Sequence, residues 1–237
     1  MGAKVAVLHT VQSTLKPISE VFGKVAPDAQ VVNLLDDSLL RDTAAAGRIT
    51  PQVIQRICCY YACAQQLGAQ AVLNACSSVR EASELAATTV AIPVVNIDTA
   101  MARHAVSLGT RISLIATAPT TIEPSTRIIH RCAADQGKEV IVEPRLCVDA
   151  SHLSAQGDYE GYMRALLEEI RDSLDSADVV VLAQVSMAAA LERVPVEHRP
   201  RVLASPMLGV EELMTTLEAS SGRGTGLAAS PESVTEI

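Results

Sequence analysis

The sequence predicts an α/β fold of two similar lobes with mainly parallel sheets, related by an approximate two-fold axis, with the active site in the cleft between them. Three observations carry this expectation. Short β-branched runs alternate with longer helical patterns, which implies crossover connections and parallel strands. The core must be aliphatic: hydrophobic residues make up 49% of the 237 residues, aromatic ones 2%, and Trp is absent. The chain also repeats itself. GAKVAVLHT (2–10) aligns with GTRISLIAT (109–117), and AQAVLNACSSV (69–79) with ADVVVLAQVSM (177–187), an offset of 107–108 residues in both pairs.

The elements follow in order. Strands are expected at Lys4–Leu8, Gln30–Leu34, Ala71–Leu73, Val90–Val95, Arg111–Ile115, Glu139–Val142, Val179–Leu182 and Arg201–Ala204. Thr50-Pro51 puts a cap residue before a proline at the first helical position, and Gly68 ends that helix. Asp98 is read as the cap of a helix running to Leu108 and stopped by Gly109. A third helix leads to Gly137, a fourth runs from about Asp158 to Asp175, and another is expected at 209–217. The first lobe is expected to comprise residues 1–97 plus about 205–218, and the second residues 98–204. Residues 219–237, rich in small and polar side chains, are expected to be a disordered tail.

Composition excludes several classes. The net charge is −8 with no basic block, so no nucleic-acid partner is expected. The long uncharged stretches are interrupted by Asn, Gln, Ser or Pro, so no membrane span is expected. No basic-then-apolar N-terminal segment reads as a signal peptide. Six irregularly spaced cysteines then point to reduced thiols in a cytoplasmic protein. There is no phosphate-cradling Gly-rich loop and no dinucleotide fingerprint.

The repeat marks the candidate site. In each half the first strand ends in threonine, Thr10 or Thr117, and a later strand ends in x-x-Ser: Cys76-Ser77-Ser78 and Gln184-Val185-Ser186. Parallel sheets bind ligands at these carboxyl ends. Backbone N–H groups of Ser77, Ser78 and Val79 would face an anion, as would those of Val185, Ser186 and Met187. The same field is expected to lower the pKa of Cys76, making it a thiolate base or nucleophile. A buried, inert thiol is the competing reading. Ser77, Ser78 and Ser186 bind substrate or merely cap their helices. Thr10 and Thr117 are candidate carboxylate donors, set against ordinary turn chemistry. His9 is placed near the cleft, to activate Cys76 or act as an acid, with a solvated loop histidine as the alternative.

NACSSV closing a strand, its partner LAQVSM, the strand SLIATAPTT and the two-lobe repeat together resemble the aspartate/glutamate racemase superfamily. That group includes hydantoin racemases, maleate isomerases and arylmalonate decarboxylases, and the resemblance spans most of residues 3–217. It implies a cofactor-free enzyme working at the α-carbon of a small carboxylate, with no metal. Cys76 matches the first of the two cysteines typical of such racemases. Thr117, Thr120 and Thr121 match a threonine-rich carboxylate-binding loop, and Gln184 stands where the second cysteine would be.

Gln184 cannot ionise, so two-sided racemisation lacks its second proton carrier. Its amide can instead donate to an enolate oxygen. Three chemistries remain: proton transfer on one face, decarboxylation with reprotonation by Cys76, and covalent addition of the thiol. A lyase on a small dicarboxylate is one alternative function, and a non-catalytic carboxylate sensor is another. Cys59 and Cys63 in CCYYAC, with Cys58, are read as a helix packing face rather than a metal site. Arg80 is read as surface ion pairing, with reach to a second substrate carboxylate as the alternative, and Tyr60 and Tyr61 as core or subunit interface; a homo-oligomer is expected.

Overall fold

The computed structural model describes residues 2–223. Its elements in order are β1 (Lys4–His9), α1 (Leu15–Val25), β2 (Gln30–Leu35), α2 (Ser38–Ala46), α3 (Pro51–Gln66), β3 (Ala71–Asn74), α4 (Arg80–Ala87), β4 (Val94–Asn96) and α5 (Thr99–Leu108). The second half continues with β5 (Arg111–Ala116), α6 (Pro119–Asp135), β6 (Ile141–Leu146), α7 (Val148–Ala155), α8 (Tyr159–Leu174), β7 (Val179–Leu182), β8 (Val202–Ala204) and α9 (Ser205–Arg223).

Two four-stranded sheets form, in the orders β2-β1-β3-β4 and β6-β5-β7-β8, and all pairings are parallel. The registers repeat with the sequence. Val5 pairs with Ala71 and Val72 with Val94 in the first sheet; Ile112 pairs with Val179 and Val180 with Val202 in the second. The central strands β1, β3, β5 and β7 bury both faces under helices, while the edge strands β2 and β6 are part-exposed. Val5, Val7, Ala71 and Leu73 meet one apolar layer while Ala6, Leu8 and Val72 meet the other.

Each half lends its last helix to the opposite sheet. α5 follows β4, yet Met101, Ala102, Ala105 and Val106 pack with Ile112, Leu114, Val179 and Val181 of the second sheet. α9 follows β8, yet Val210, Leu213 and Leu217 pack with Val5, Val7, Leu73 and Val95 of the first. A Cβ added at Gly209 would sit 2.5 Å from the Ile97 carbonyl oxygen, so only glycine lets α9 pass this close to the chain between the lobes.

Several expectations are corrected. α9 runs from Ser205 to Arg223, so residues 219–223 of the expected tail are helical, and 224–237 lie outside the described residues. The strand expected at Val90–Val95 is confined to Val94–Asn96. The one expected at Glu139–Val142 runs instead over Ile141–Leu146, through Pro144, which is tolerated because β6 is an edge strand. Cys59 and Cys63 are exposed rather than a packing face. α3 buries Val53, Ile57, Tyr61 and Ala64, and that stripe turns positions 59 and 63 to solvent. Tyr61 is core, with its hydroxyl 2.6 Å from Ser83 Oγ.

Arg80 and Asp98 are also corrected. Arg80 is 4% exposed and Asp98 1% exposed, so their ion pair is interior. Asp98 occupies the N-cap of α5 without any side-chain cap bond. Its carboxylate instead accepts from Arg80 Nη2, which also donates to Thr99 Oγ1 at 2.9 Å. Glu84 accepts from Arg80 at 2.9 Å and from Arg131 of α6 at 2.8 Å, and Arg127 of α6 pairs with Glu81 of α4. These charges tie α4 of the first lobe to α6 of the second.

Candidate active site

Strand order reverses between β1 and β3, and between β5 and β7, so each sheet opens its crevice at those carboxyl ends. In the first lobe this brings together Thr10 and Cys76, and in the second Thr117 and Gln184. Cys76 is the extended N-cap (φ −137, ψ 114) of a single helical turn, Ser77–Val79, that leads into α4. Gln184 occupies the matching position (φ −125, ψ 141) before the helical turn Val185–Glu192.

The Thr10 and Ser78 side chains and the backbone N–H groups of Ser78 and Val79 lie near enough to the Cys76 sulfur to favour its thiolate. Thr10 is 1% exposed and its Oγ1 makes no hydrogen bond, a buried hydroxyl left unpaired beside the thiol. The expected lowering of the thiol pKa is reversed. Burial raises it above the ordinary thiol value, and these four groups offset that only in part. Cys76 therefore rests as a neutral thiol whose conjugate base has donors already in place.

Gln184 is held by its carbonyl. Oε1 accepts from the Thr117 N–H at 2.6 Å and from the Thr117 hydroxyl at 2.9 Å. That fixes the amide orientation and leaves its NH₂ as the group with donors to spare. Thr117 is thereby committed to Gln184, not left as an independent carboxylate donor. Thr120 and Thr121 lie in the first turn of α6 and face the first lobe. Their hydroxyls are 3.0 and 3.3 Å from Ser78 Oγ. Pro124 cannot donate to the Thr120 carbonyl, so this first turn lacks one of its helical bonds.

The remaining expected residues divide. Ser77 is buried beside the thiol and no side-chain bond engages it. Val185 packs its side chain into the first lobe's core, clamping the second site loop onto that lobe. Ser186 lies near Tyr162 of α8, whose buried hydroxyl makes no hydrogen bond. The Met187 N–H is spent within its own turn on the Gln184 carbonyl at 3.0 Å, so the second anion cradle is smaller than expected.

His9 is fully buried with both ring nitrogens engaged, at 2.7 Å to Thr14 Oγ1 and 3.0 Å to Asn33 Oδ1. Neither nitrogen is left for a substrate, and the solvated-loop alternative is overturned as well. Burial pushes its pKa below the ordinary 6.5, against a smaller opposing effect of the Asn33 bond. Below that value the unfolded chain binds a proton that the folded protein resists. The stability tied to neutral His9 is thus complete above about pH 6.5 and is lost as pH falls through the lowered folded value. Urea unfolding between about pH 6.5 and 5 should show this slope, and His9→Gln should flatten it; an unchanged slope would assign the acid loss to other groups.

Comparison with known proteins adds the decisive observation. The family model described as Asp/Glu/Hydantoin racemase matches residues 4–213. The chain belongs to the Asp/Glu/hydantoin racemase family. Its fold is shared by the Picrophilus torridus aspartate racemase, with 15% identity, a TM-score of 0.66, and coverage of 93% of this chain and 95% of that one. The allantoin racemase from Klebsiella pneumoniae is similar at 17% identity, a TM-score of 0.61, and coverage of 99% and 96%. An arylmalonate decarboxylase matches at 14% identity, a TM-score of 0.60, and coverage of 96% of each chain. No curated protein sequence matches. At these identities the structural likeness is one of fold, and within this racemase/isomerase-type family the chain's own cleft residues must indicate its chemistry. No helix among the described residues is long and apolar enough to cross a membrane.

Proposed function

We propose that this family member is a cofactor-independent enzyme of isomerase type that moves a proton at the α-carbon of a small carboxylic acid, with Cys76 as its single acid/base. The observation that carries the reading is the asymmetry of the two matched strand ends. One holds a thiol at the start of a helical turn, near the Ser78 and Val79 N–H groups, and the other a glutamine locked by Thr117.

In the forward step Cys76, having first released its thiol proton to solvent, takes the α-proton as the thiolate and re-forms S–H, which then returns a proton to the enolate. The C–H electron pair passes into the enolate, whose oxygen charge meets donors such as the Gln184 NH₂. The thiolate carries the cost of burial, and the four groups near it reduce that cost. The Ser77 hydroxyl, and the Ser78, Thr120 and Thr121 hydroxyls on exchanging their mutual contacts for substrate, supply the carboxylate's partners. Tight ionic binding is not required of them: the nearest guanidinium on the same turn, Arg80, is committed to Asp98 and Glu84.

The neutral resting thiol favours a second reading, decarboxylation of a small dicarboxylate. There the C–C bond breaks, CO₂ leaves with the enolate retaining the electron pair, and the Cys76 S–H protonates the carbon. The resulting thiolate regains its proton from solvent.

Both readings place a carboxylate against Cys76. Malonate or maleate should therefore slow iodoacetamide alkylation of Cys76, followed peptide by peptide, while leaving the exposed Cys59 and Cys63 unaffected. Equal alkylation of Cys76 with and without saturating dicarboxylate would remove the carboxylate site from this cleft.

A further inference from the structure

The thiol-bearing strand end has a support that its twin lacks. Asn74, 1% exposed at the end of β3, straddles the peptide units of Cys76. Its Oδ1 accepts from the Cys76 N–H at 3.4 Å and its Nδ2 donates to the Cys76 carbonyl at 3.0 Å. Nδ2 also donates to Asn96 Oδ1 at 2.8 Å, bracing the amide from β4.

The second lobe is an internal control. Register places Asn74 between Leu8 and Asn96, and Leu182 between Ile115 and Ala204. Where the thiol is replaced by Gln184, the Asn pair is thus replaced by Leu182 and Ala204. The fold does not need two buried amides here, because Gln184 adopts a closely similar extended conformation over an apolar pair. Burying two amides is unfavourable unless their bonds are made, so their presence beside the thiol alone calls for a reason at the thiol.

We infer that Asn74, braced by Asn96, is a positioning residue for Cys76: it pins the peptide units on both sides of the thiol. That holds the sulfur at the start of the Ser77–Val79 turn, near the Ser78 and Val79 N–H groups. The inference rests on the reading of Cys76 as the acid/base, and its test is independent of turnover.

The test is the pH midpoint of Cys76 alkylation by iodoacetamide in the full chain, resolved by peptide mass. Asn74→Leu/Asn96→Ala copies the apolar pair of the second lobe. With the turn loosened, the thiolate loses donors, so its midpoint should rise by about one pH unit and its rate at pH 8 fall about tenfold. If circular dichroism shows the double variant unfolded, Asn96→Ala alone decides, with a rise of about half a unit expected from an unbraced Asn74. A folded variant with an unmoved or lowered midpoint overturns the inference, even if its melting temperature drops, because that marks a packing role only. Loss of turnover in Cys76 variants bears on the function and not on this result.

Discussion

Cys76→Ala is expected to abolish exchange of the α-proton of its carboxylate substrate with deuterated water, by about 10³-fold or more, with the circular dichroism spectrum unchanged. The size follows from what a positioned general acid or base contributes, about 10²–10⁴-fold, with neither His9 nor Gln184 placed to take over. His9 is engaged at both nitrogens and Gln184 does not titrate. The fold should survive because Cys76 is only partly buried and its neighbours donate to it without depending on it. Retention of exchange above about a tenth of the wild-type rate would mean that another residue carries the proton.

Asp98→Ala is expected to have the largest effect on stability, a loss of about 3–5 kcal/mol in urea unfolding. The carboxylate is 1% exposed, its partner Arg80 is 4% exposed, and removal leaves an interior guanidinium short of its counter-charge. Arg80→Met/Asp98→Ala removes both charges and should recover most of the loss, since a buried pair itself contributes little net stability. A loss below about 1 kcal/mol for the single variant would show that water or Glu84 takes over the charge. The pair sits between the Cys76 turn and α5, so the double variant also reports whether the charges matter to the cleft.

Much of this architecture is legible in the sequence because the duplicated strands share apolar runs and polar ends. The Thr10/Thr117 and Cys76/Gln184 correspondences follow from that repeat, and the sheets reproduce it pair by pair. α1, α2 and α7 carry no signal of this kind, being short and without a side-chain cap bond to announce them. Pro144 disguised the length of β6, since proline is neutral only on an edge, and a single sequence does not reveal which strand is the edge.

The site was harder to read for a different reason. Helix-turn donors at Cys76 are visible as a Cys-Ser-Ser pattern, but the burial that outweighs them is a property of the folded neighbourhood. Arg80 and Asp98 meet across 18 residues of chain, a spacing with no periodic signature. Asn74 and Asn96 end their strands, where asparagine is ordinary turn chemistry and carries no signal by itself. Aligning the halves would have singled them out, because their counterparts Leu182 and Ala204 are apolar.

The central claim is that one thiol works on one face of the substrate opposite an amide that cannot titrate. Proton NMR in deuterated water, over a panel of enantiopure α-substituted small carboxylates, tests it most directly. The account predicts deuterium entering from a single face, no net interconversion of enantiomers during that exchange, and no exchange with Cys76→Ala. Equal washout from both enantiomers with racemisation would contradict it.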